Sequence, residues 1–349
     1  MNPSLRQLLV VAVVATATVL GSDAALRRVC PLLPRRIEAG DGIAAVRDGN
    51  PETLLLGSSH SRSFIGLAER LDHDSAGTRQ LIPVAMEYGK LSSYQWLLDH
   101  RLRPYLDARK PDGTLVRDRL RRFILVTEWW DHCTDEVGAI ATNVPARAWG
   151  LSDFLDDVFH QGLTSFNLNY VDSVTRELFG WSILYQDRGV GRIHPALMAT
   201  VRKPPDHSAL DAARIAGWQR AIERGATDPR CHDGVQRAAL LGILDWAQGR
   251  GLDTTLLLFT RHPDTLSDKA KATTLANFSA DMAALAAARR IRFLDFTLGT
   301  PLRGSDFMSD LDHVSREGNR TLSAYMLEHG LGFVLEPPAP GPGQAGPPR

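Results

Sequence analysis

The sequence predicts an α/β protein in which a parallel sheet is flanked by helices on both faces. Short apolar runs alternate along the chain with longer segments of helical periodicity. Runs of this kind are typical of strands that are covered on both faces, and their alternation with helices favours a parallel sheet. The chain has 349 residues, 44% of them hydrophobic, which is enough to bury a substantial core.

Four apolar runs are the predicted strands of this sheet. In chain order they are PETLLLG from Pro51, RRFILVTEWW from Arg121, DTTLLLFT from Asp253 and IRFLDFT from Ile291. Each is short and contains β-branched, aromatic or leucine side chains, as expected of a buried strand.

Helical periodicity appears between and after these runs. The helical segments are GKLSSYQWLLDHRLRPYL from Gly89, GVQRAALLGILDWAQGRG from Gly234 and LANFSADMAALAAARR from Leu275. A last helix follows His313; Ser315 is its predicted N-cap, and Gly330 ends it.

One segment departs from the alternation. Residues 134–230 are longer than one crossover requires, and within them Gly150–Asp187 has the pattern of two helices with aromatic faces. We interpret this segment as an insertion, within a domain spanning residues 26–336, that caps or lines the functional site. A separate domain is the alternative, although linker composition is absent at its edges.

The two ends of the chain read as segments outside the domain. Residues 1–25 contain Arg6, an apolar run over Leu8–Leu20 and small residues that allow cleavage after Ala24. A membrane-spanning helix needs about 20 apolar residues, so a signal peptide or short signal anchor is favoured. We therefore expect an extracytoplasmic protein, periplasmic or at the cell surface. The Pro- and Gly-rich tail at residues 337–349 is predicted to be disordered.

Charge and cysteine content narrow the function further. Forty basic residues balance forty acidic ones, which gives no field for binding nucleic acid. In an exported protein, Cys30, Cys133 and Cys231 allow one disulfide and one spare thiol. Cys133 with Cys231 is the pair to test, because Cys30 is close to the membrane end. No cysteine spacing is typical of a metal site, and no metal or cofactor is predicted.

The first strand leads into Gly57-Ser58-Ser59. Ligands gather at the carboxyl ends of parallel strands, and a serine at a following helix start lies beside unpaired backbone N–H groups. Such groups stabilise a developing oxyanion, so Ser59 is a candidate nucleophile for acyl transfer. Taken alone, the turn is more typical of a helix cap. His60, the next residue, is expected in the first helix turn or at the cleft rim.

A second segment supplies the partners that a nucleophilic serine needs. GSDFMSDLDHVSREG places Asp310 three residues before His313, ahead of the last helix. In a serine triad, a histidine acts as base and a carboxylate holds its other ring nitrogen. Asp310 is the preferred partner, because the side chain of the adjacent Asp312 diverges from His313. In isolation, this segment also reads as a solvated acidic loop.

Together the two segments resemble the SGNH (GDSL-like) hydrolase superfamily. There the nucleophile lies in a Gly-Asp-Ser turn after the first strand, and Asp-x-x-His precedes the last helix. The resemblance covers Thr53 to Gly330 and implies a flavodoxin-like three-layer sandwich with a Ser59–His313–Asp310 triad. It looks closest to divergent exported members such as the alginate O-acetylation proteins or the DltD-like group.

The resemblance also implies an oxyanion hole. The N–H of Ser59 and that of Gly89, in AMEYGKLSS, are the expected donors. The family's third block, Gly-x-Asn-Asp, falls at LVTEWWDHC, where no asparagine occurs, so the indole N–H of Trp129 is the donor candidate there.

Three further side chains are candidates for binding substrate. Arg261 and His262 follow a strand, where they either bind substrate or belong to a plain loop. Trp130, like its neighbour Trp129, either stacks on sugar rings or belongs to the core.

The expected function is exported serine-dependent acyl transfer, as O-acetylation or deacetylation of an envelope or extracellular polysaccharide. The partners are a hydroxyl acceptor and an acyl donor, which a membrane acyltransferase could present. The alternative is a non-catalytic glycan-binding or scaffold protein of an envelope assembly system. A phosphate site at the Gly-Ser-Ser turn has only the helix start in its favour.

Overall fold

The computed structural model describes residues 39–75, 80–86, 89–133, 151–164, 207–231, 234–308 and 310–336, with scattered helical residues in 6–18 and 167–171. The predicted C-terminal tail lies outside these residues, as do most of the predicted signal segment and most of the second aromatic helix of the insertion. Within the described part of the chain, no helix is both long and apolar enough to cross a membrane.

The helices and strands alternate along most of the chain. In order they are α1 (Ala39–Asp48), β1 (Thr53–Ser58), α2 (Ile65–Asp74), β2 (Leu81–Met86), α3 (Leu91–Leu97), α4 (Arg103–Leu106), β3 (Arg122–Thr127), α5 (Leu151–Gln161), α6 (His207–Thr227), α7 (Val235–Gly249), β4 (Asp253–Leu258), α8 (Lys269–Arg289), β5 (Arg292–Asp295) and α9 (Arg316–Met326). Short 3-10 helices include Ser59–Phe64 after β1, Trp129–His132 after β3, and Pro229–Cys231 after α6.

The chain divides into two compact units. One combines residues 1–36 with 149–207 and contains α5. The other combines residues 37–148 with 208–349 and contains all five strands. The candidate site lies within this second unit, the sheet unit.

The five strands form one parallel sheet in the order β2-β1-β3-β4-β5. Leu54 of β1 lies opposite Ile82 of β2 and Phe123 of β3. Strand β3 pairs in the same parallel sense with β4, and β4 pairs with β5. This is the order of flavodoxin-like doubly wound sheets, in which the direction of winding reverses between β1 and β3. The predicted α/β class with a parallel sheet is confirmed.

Strand β2 is the one that the sequence analysis missed. Its run LIPVAM contains Pro83, which cannot donate a ladder hydrogen bond and argues against a central strand. The structure resolves the conflict by placing β2 at the edge of the sheet, where one side of the strand has no ladder partner among the residues described. The other four strands are those predicted.

Apolar side chains alternate between the two faces of the sheet. Leu55, Ile124 and Leu257 pack on one face with residues of α2 and α9. Alternate positions point the opposite way, and there Phe123 meets Trp246 of α7 edge-on, with ring centres 5.5 Å apart. Helices therefore cover both faces, and each fully buried leucine contributes roughly 1.5–3 kcal/mol.

Helix α6 falls inside the range predicted as an insertion, yet from Ser208 onward it belongs to the sheet unit. Ala221 and Ile222 of α6 form a small apolar cluster with Trp129 and with Leu275 of α8. At Gly225, helix α6 lies so close to the Trp129 ring that an added Cβ would be 1.6 Å from a ring atom. A helix not predicted from the sequence thus packs beside the end of β3.

Cys133 and Cys231 are joined in a disulfide, which is the pair that the sequence selected for testing. The bond links the end of the 3-10 helix after β3 to the end of the 3-10 helix after α6. The two cysteines are 98 positions apart in sequence, so the bond closes the segment that contains α5 and α6. Cys30 lies outside the described residues.

Candidate active site

Ser59 lies at the carboxyl end of β1, where the chain turns at once into a 3-10 helix. Ser58 caps this helix, and its Oγ accepts a hydrogen bond from the backbone N–H of His60 at 3.3 Å. The turn requires glycine before it, because a Cβ on Gly57 would lie 2.4 Å from the carbonyl oxygen of Val126 in β3. Ser59 is therefore the first residue of this 3-10 helix, at the carboxyl end of a strand inside the sheet.

The loop before α9 presents His313 to this serine. Asp310 Oδ1 accepts hydrogen bonds from the backbone N–H groups of Asp312 and His313, each at 3.0 Å, which tightens the turn. Asp310 Oδ2 then accepts from His313 Nδ1 at 2.9 Å. His313 Nε2 lies 2.6 Å from Ser59 Oγ. The structure therefore brings Ser59, His313 and Asp310 into one chain of hydrogen bonds, which we call the triad.

Charges around His313 favour its protonated form. Burial of the ring acts to lower its pKa, but the hydrogen bond to Asp310 and the negative charges of Asp312 and Asp310 outweigh burial and raise this pKa above its ordinary value. For Asp310, partial burial acts to raise the pKa, but the hydrogen bonds from His313 prevail and lower it. Asp310 is therefore ionised and holds a basic imidazole.

A second group of polar residues lies directly behind the triad. This buried ionic cluster consists of His60, Glu128, Arg261 and Asp312. Arg261 pairs with both carboxylates; its Nη1 lies 2.7 Å from Asp312 Oδ1, and its Nη2 contacts Glu128 Oε2. The His60 ring lies 3.5 Å from each carboxylate, through Nδ1 to Glu128 and Nε2 to Asp312.

Burial and the neighbouring charges together set the protonation states in this cluster. Loss of solvation lowers the pKa of His60, and the opposing effect of Asp312 does not restore it, so His60 is neutral. Asp312 is held ionised: burial acts to raise its pKa, but the nearby His60 and Arg261 lower it far below its ordinary value. His60 stacks between Phe259 and His313, with ring centres 4.7 and 5.0 Å away. The cluster thus contacts the triad through a neutral ring.

The three candidate oxyanion donors lie in different surroundings. Ser59 begins a helix, so its backbone N–H has no partner within that helix. The N–H of Gly89 donates to the carbonyl of Met86 at 3.0 Å. Trp129 packs with α6 and is 8% exposed. Of the two backbone donors predicted from the sequence, Gly89 is thus already engaged, whereas Ser59 lies at a helix start.

The residues at the third-block position form a local buried network instead of presenting an asparagine. Asp131 Oδ2 accepts from Thr127 Oγ1 and from the backbone N–H of Glu128, both at 3.1 Å. Burial raises the pKa of Asp131 to about 7, against the opposing charge of Lys90. Lys90 Nζ donates to the carbonyl of Trp130 at 2.9 Å and lies 4.2 Å from the centre of its ring. This network fixes the end of β3.

The predicted substrate-binding residues turn out to be engaged within the protein. Arg261 is 6% exposed and paired with two carboxylates. His262 is 4% exposed, and its Nδ1 accepts from the backbone N–H of Asp264 at 3.2 Å as a helix cap. The Trp130 ring is covered by Lys90.

The geometry has one candidate group for holding a metal ion. Among the described residues, a ligand atom from each of His60, Asp312 and His313 lies within 4.8 Å of the other two. Both ring nitrogens of His313 are hydrogen-bonded, and Asp312 is paired with Arg261, so a cation would displace existing partners. The arrangement fits a hydrogen-bonded network better than a metal site.

Sequence reasoning missed the buried ionic cluster as a unit. It places His60 at a helix turn or cleft rim, and it gives Asp312 only the role of a poorer partner for His313. Glu128 and Arg261 carry a usable signal, because each is a charged residue directly after an apolar strand. Their pairing has no sequence signature, because they belong to different strand ends.

No protein-family model matches this chain, and neither the curated proteins nor the solved structures contain a match to it.

Proposed function

We propose that this protein carries out serine-dependent acyl transfer with Ser59 as nucleophile, His313 as base and Asp310 as the carboxylate that orients the base. One observation carries the proposal. The hydrogen bonds from Ser59 Oγ to His313 Nε2 at 2.6 Å and from His313 Nδ1 to Asp310 at 2.9 Å form an unbroken chain at the carboxyl end of the sheet. This is the relation that nucleophile, base and carboxylate need in a serine triad.

The mechanism follows from the proton positions in this chain. Asp310 Oδ2 accepts a hydrogen bond from the Nδ1–H of His313, and this tautomer leaves Nε2 with a lone pair directed at the Ser59 hydroxyl. As Ser59 Oγ attacks an acyl carbonyl carbon, its proton passes to His313 Nε2 and then to the leaving group. A hydroxyl acceptor or water then attacks the acyl carbon while His313 takes its proton. The bond from that carbon to Ser59 Oγ breaks, and His313 returns the proton to Ser59 Oγ. The raised pKa of His313 suits a base that must hold this proton between the two steps.

The oxyanion of the tetrahedral intermediate needs donors in place before the reaction. The Ser59 N–H at the helix start is the first donor in our proposal. Gly89 becomes a second donor only if its N–H releases the Met86 carbonyl. We therefore expect acylation to be slower than in an enzyme with two preformed donors.

The fold supports the finer assignment to the SGNH-like class. The sheet order matches the expected flavodoxin-like sandwich, Ser59 follows β1, and Asp310 and His313 precede the last helix. In this proposal the protein is exported, and the acceptor is a hydroxyl of an envelope or extracellular polysaccharide. The second partner is an acyl donor, which a membrane acyltransferase could present.

Active-site labelling of the purified full-length chain with a fluorophosphonate probe tests the proposal. We expect one label on Ser59, lost in Ser59→Ala and in His313→Ala. Ser63→Ala is the matched control, because Ser63 lies on the same 3-10 helix but outside the hydrogen-bonded chain, so this variant should label normally. Mass spectrometry of the labelled peptide identifies the site.

Labelling that persists in Ser59→Ala, or that is absent from the folded wild-type protein, would contradict the proposal. In the second case, polysaccharide binding without turnover would favour the glycan-binding alternative, for which the engaged Gly89 N–H is the supporting observation.

A further inference from the structure

Exposed apolar side chains are concentrated in one of the two compact units of the chain. This unit, which we call the α5 unit, combines residues 1–36 with residues 149–207. Among the described residues, twelve large apolar side chains are exposed, and nine of them belong to the α5 unit. They are Val10, Val11, Val13, Val14, Leu155, Phe159, Leu163, Leu168 and Val171. Single exposed apolar residues are normal, but a concentration of them marks a surface that contacts a partner or a membrane.

Helix α5 has a packed face and an exposed apolar face side by side. On the packed face, the Phe154 ring stacks on Tyr170, with ring centres 5.1 Å apart. Leu155 and Phe159 are four residues apart, so they lie one above the other on the adjacent face. Phe159 is 92% exposed, and Leu163, just beyond the end of the helix, is also exposed. We call Leu155, Phe159 and Leu163 the exposed stripe.

The segment that follows α5 fixes which side of the helix is exposed. Asn167 is fully buried, and its Nδ2 donates to Asp157 Oδ2 at 3.1 Å and to the carbonyl of Gly162 at 2.7 Å. Its Oδ1 accepts from the backbone N–H of Thr164 at 3.0 Å. These bonds hold the packed side of α5 against the following segment, so the exposed stripe does not turn inward without breaking them.

A polar flank lies beside the exposed stripe. Asp156 and His160 are four residues apart on the next face, and their side chains are 78% and 70% exposed. An apolar stripe bordered by polar residues is the pattern of a helix that lies in the plane of a membrane interface. Such helices are commonly rich in Lys and Arg, but α5 contains three aspartates and neither basic residue. Its attachment therefore depends on burial of apolar side chains and gains nothing from anionic lipids.

The N-terminal segment indicates what covers the exposed stripe. It belongs to the same compact unit as α5, and its apolar run Leu8–Leu20 contains no charged residue. As a helix, a run of this length spans roughly 20 Å, which is less than the roughly 30 Å thickness of the hydrocarbon core. A short anchor of this kind keeps the rest of its unit close to the bilayer surface, where an exposed apolar stripe is buried on contact.

We propose that α5 lies in the membrane interface, with the side chains of the exposed stripe inserted among lipid acyl chains and the N-terminal segment retained as an anchor. The occupant of the stripe is the surface of a zwitterionic lipid bilayer. This inference goes beyond the proposed function and does not depend on it, because no side chain of the triad belongs to the α5 unit.

The depth of single positions in reconstituted vesicles tests this inference. The full-length chain carries Cys30→Ser, so that one engineered cysteine takes the fluorescent label nitrobenzoxadiazole while Cys133 and Cys231 remain in their disulfide. Phe159→Cys is the test position, and it loses little packing because the side chain is exposed. In phosphatidylcholine vesicles, we expect the emission of this label to shift to shorter wavelength and to be quenched by brominated acyl chains.

Two control positions separate insertion from the behaviour of the label itself. His160→Cys moves the label by one residue, to the polar flank. Leu298→Cys places it at an exposed apolar position of the sheet unit. Brominated lipid should leave the emission from both unchanged. Replacing part of the phosphatidylcholine with phosphatidylglycerol should not increase quenching at position 159, because α5 has no basic residue.

Each outcome decides the inference. Quenching at position 159 alone supports it. Absence of quenching at position 159, whether or not the chain floats with the vesicles, would overturn it and would favour a protein as the occupant of the stripe. Equal quenching at all three positions, quenching that requires phosphatidylglycerol, or an intact mass showing that the exported chain lacks residues 1–24 would also overturn it. None of these results bears on the labelling of Ser59 by a fluorophosphonate, so the two proposals fail separately.

Discussion

The triad and the buried ionic cluster use similar side chains in different surroundings. In the triad, the side chains of His313 and Asp310 are 30% and 45% exposed. In the cluster, His60, Arg261 and Asp312 are between 2% and 13% exposed. Both groups pair a histidine with a carboxylate, and the two carboxylates are only two residues apart. Exposure, and not residue type, separates them.

The two stacked histidines show what this difference does. The pKa of His313 is raised, because the charges of Asp310 and Asp312 outweigh its partial burial. The pKa of His60 is lowered, because full burial dominates there. A partly hydrated imidazole can take up and release a proton during turnover, whereas protonation of a buried neutral one carries a large desolvation cost. The triad is thus suited to chemistry, and the cluster to holding the loop in place.

The largest effect should come from breaking the triad alone. Asp310→Asn removes the carboxylate that fixes the Nδ1–H tautomer, and we expect kcat for ester turnover to fall about 10⁴-fold with little loss of stability. The lost negative charge should also lower the pKa of His313 and move the acid limb of kcat/KM to lower pH. Steady-state rates across roughly pH 5 to 9, on either side of the ordinary histidine pKa, measure both effects.

Asp312→Asn is the comparison for that variant. Asp312 does not contact a ring nitrogen of His313 through a hydrogen bond, so its variant should lose far less of kcat. Equal losses in the two variants would show that the two carboxylates do not differ in role.

A smaller effect on rate, but a large one on stability, is expected from breaking the cluster. Arg261→Met leaves Glu128 and Asp312 buried without their cation, which should lower the free energy of unfolding by about 3–5 kcal/mol. The displaced loop should also slow acylation of Ser59. Denaturant titration measures the free energy of unfolding, and the burst of nitrophenol released from p-nitrophenyl acetate measures the acylation rate.

Arg122→Met provides the matched control for Arg261→Met. Arg122 forms an equally buried pair with Glu52, at 2.9 Å, but at the amino-terminal edge of the sheet. Its variant should lose similar stability and keep the acylation rate. If the two variants slow acylation equally, the effect of Arg261 is global.

The smallest effect concerns the pH dependence of stability. Since the pKa of His60 is lower in the folded than in the unfolded state, the unfolded chain binds the extra proton, and stability is lost as pH falls below about 6.5. His60→Gln removes this titration and should therefore lose less stability than the wild type between about pH 7.5 and 5.5, a range that brackets the ordinary histidine pKa. Urea titrations of the two proteins across this range measure the difference.

Other groups titrate over the same range and set the baseline for that comparison. Burial lowers the pKa of His132 to about 3, so His132 adds to the acid loss in both proteins. His313 has the opposite sign: its raised pKa stabilises the folded state at low pH, and this gain is lost as pH rises. The difference between the stability–pH curves of the wild type and of His60→Gln reports the titration of His60. Identical slopes of the two curves would show that His60 is not buried and neutral.

Much of the fold was predictable because strands and helix starts are local features. Four strands followed from short apolar runs, and the Gly57-Ser58-Ser59 turn placed Ser59 at a strand end. Asp310 and His313 were found together because one short turn holds both. Strand β2 was missed for an equally local reason, since Pro83 weakens the strand pattern and only the sheet edge makes it acceptable.

The buried ionic cluster was decided by tertiary structure. The cluster draws its members from the ends of β1, β3 and β4 and from the loop before α9. Sequence pattern records which side chains are apolar and where a strand ends. The partner of a buried charge depends on which distant segments the folded sheet places side by side, and the chain carries no local periodicity for that.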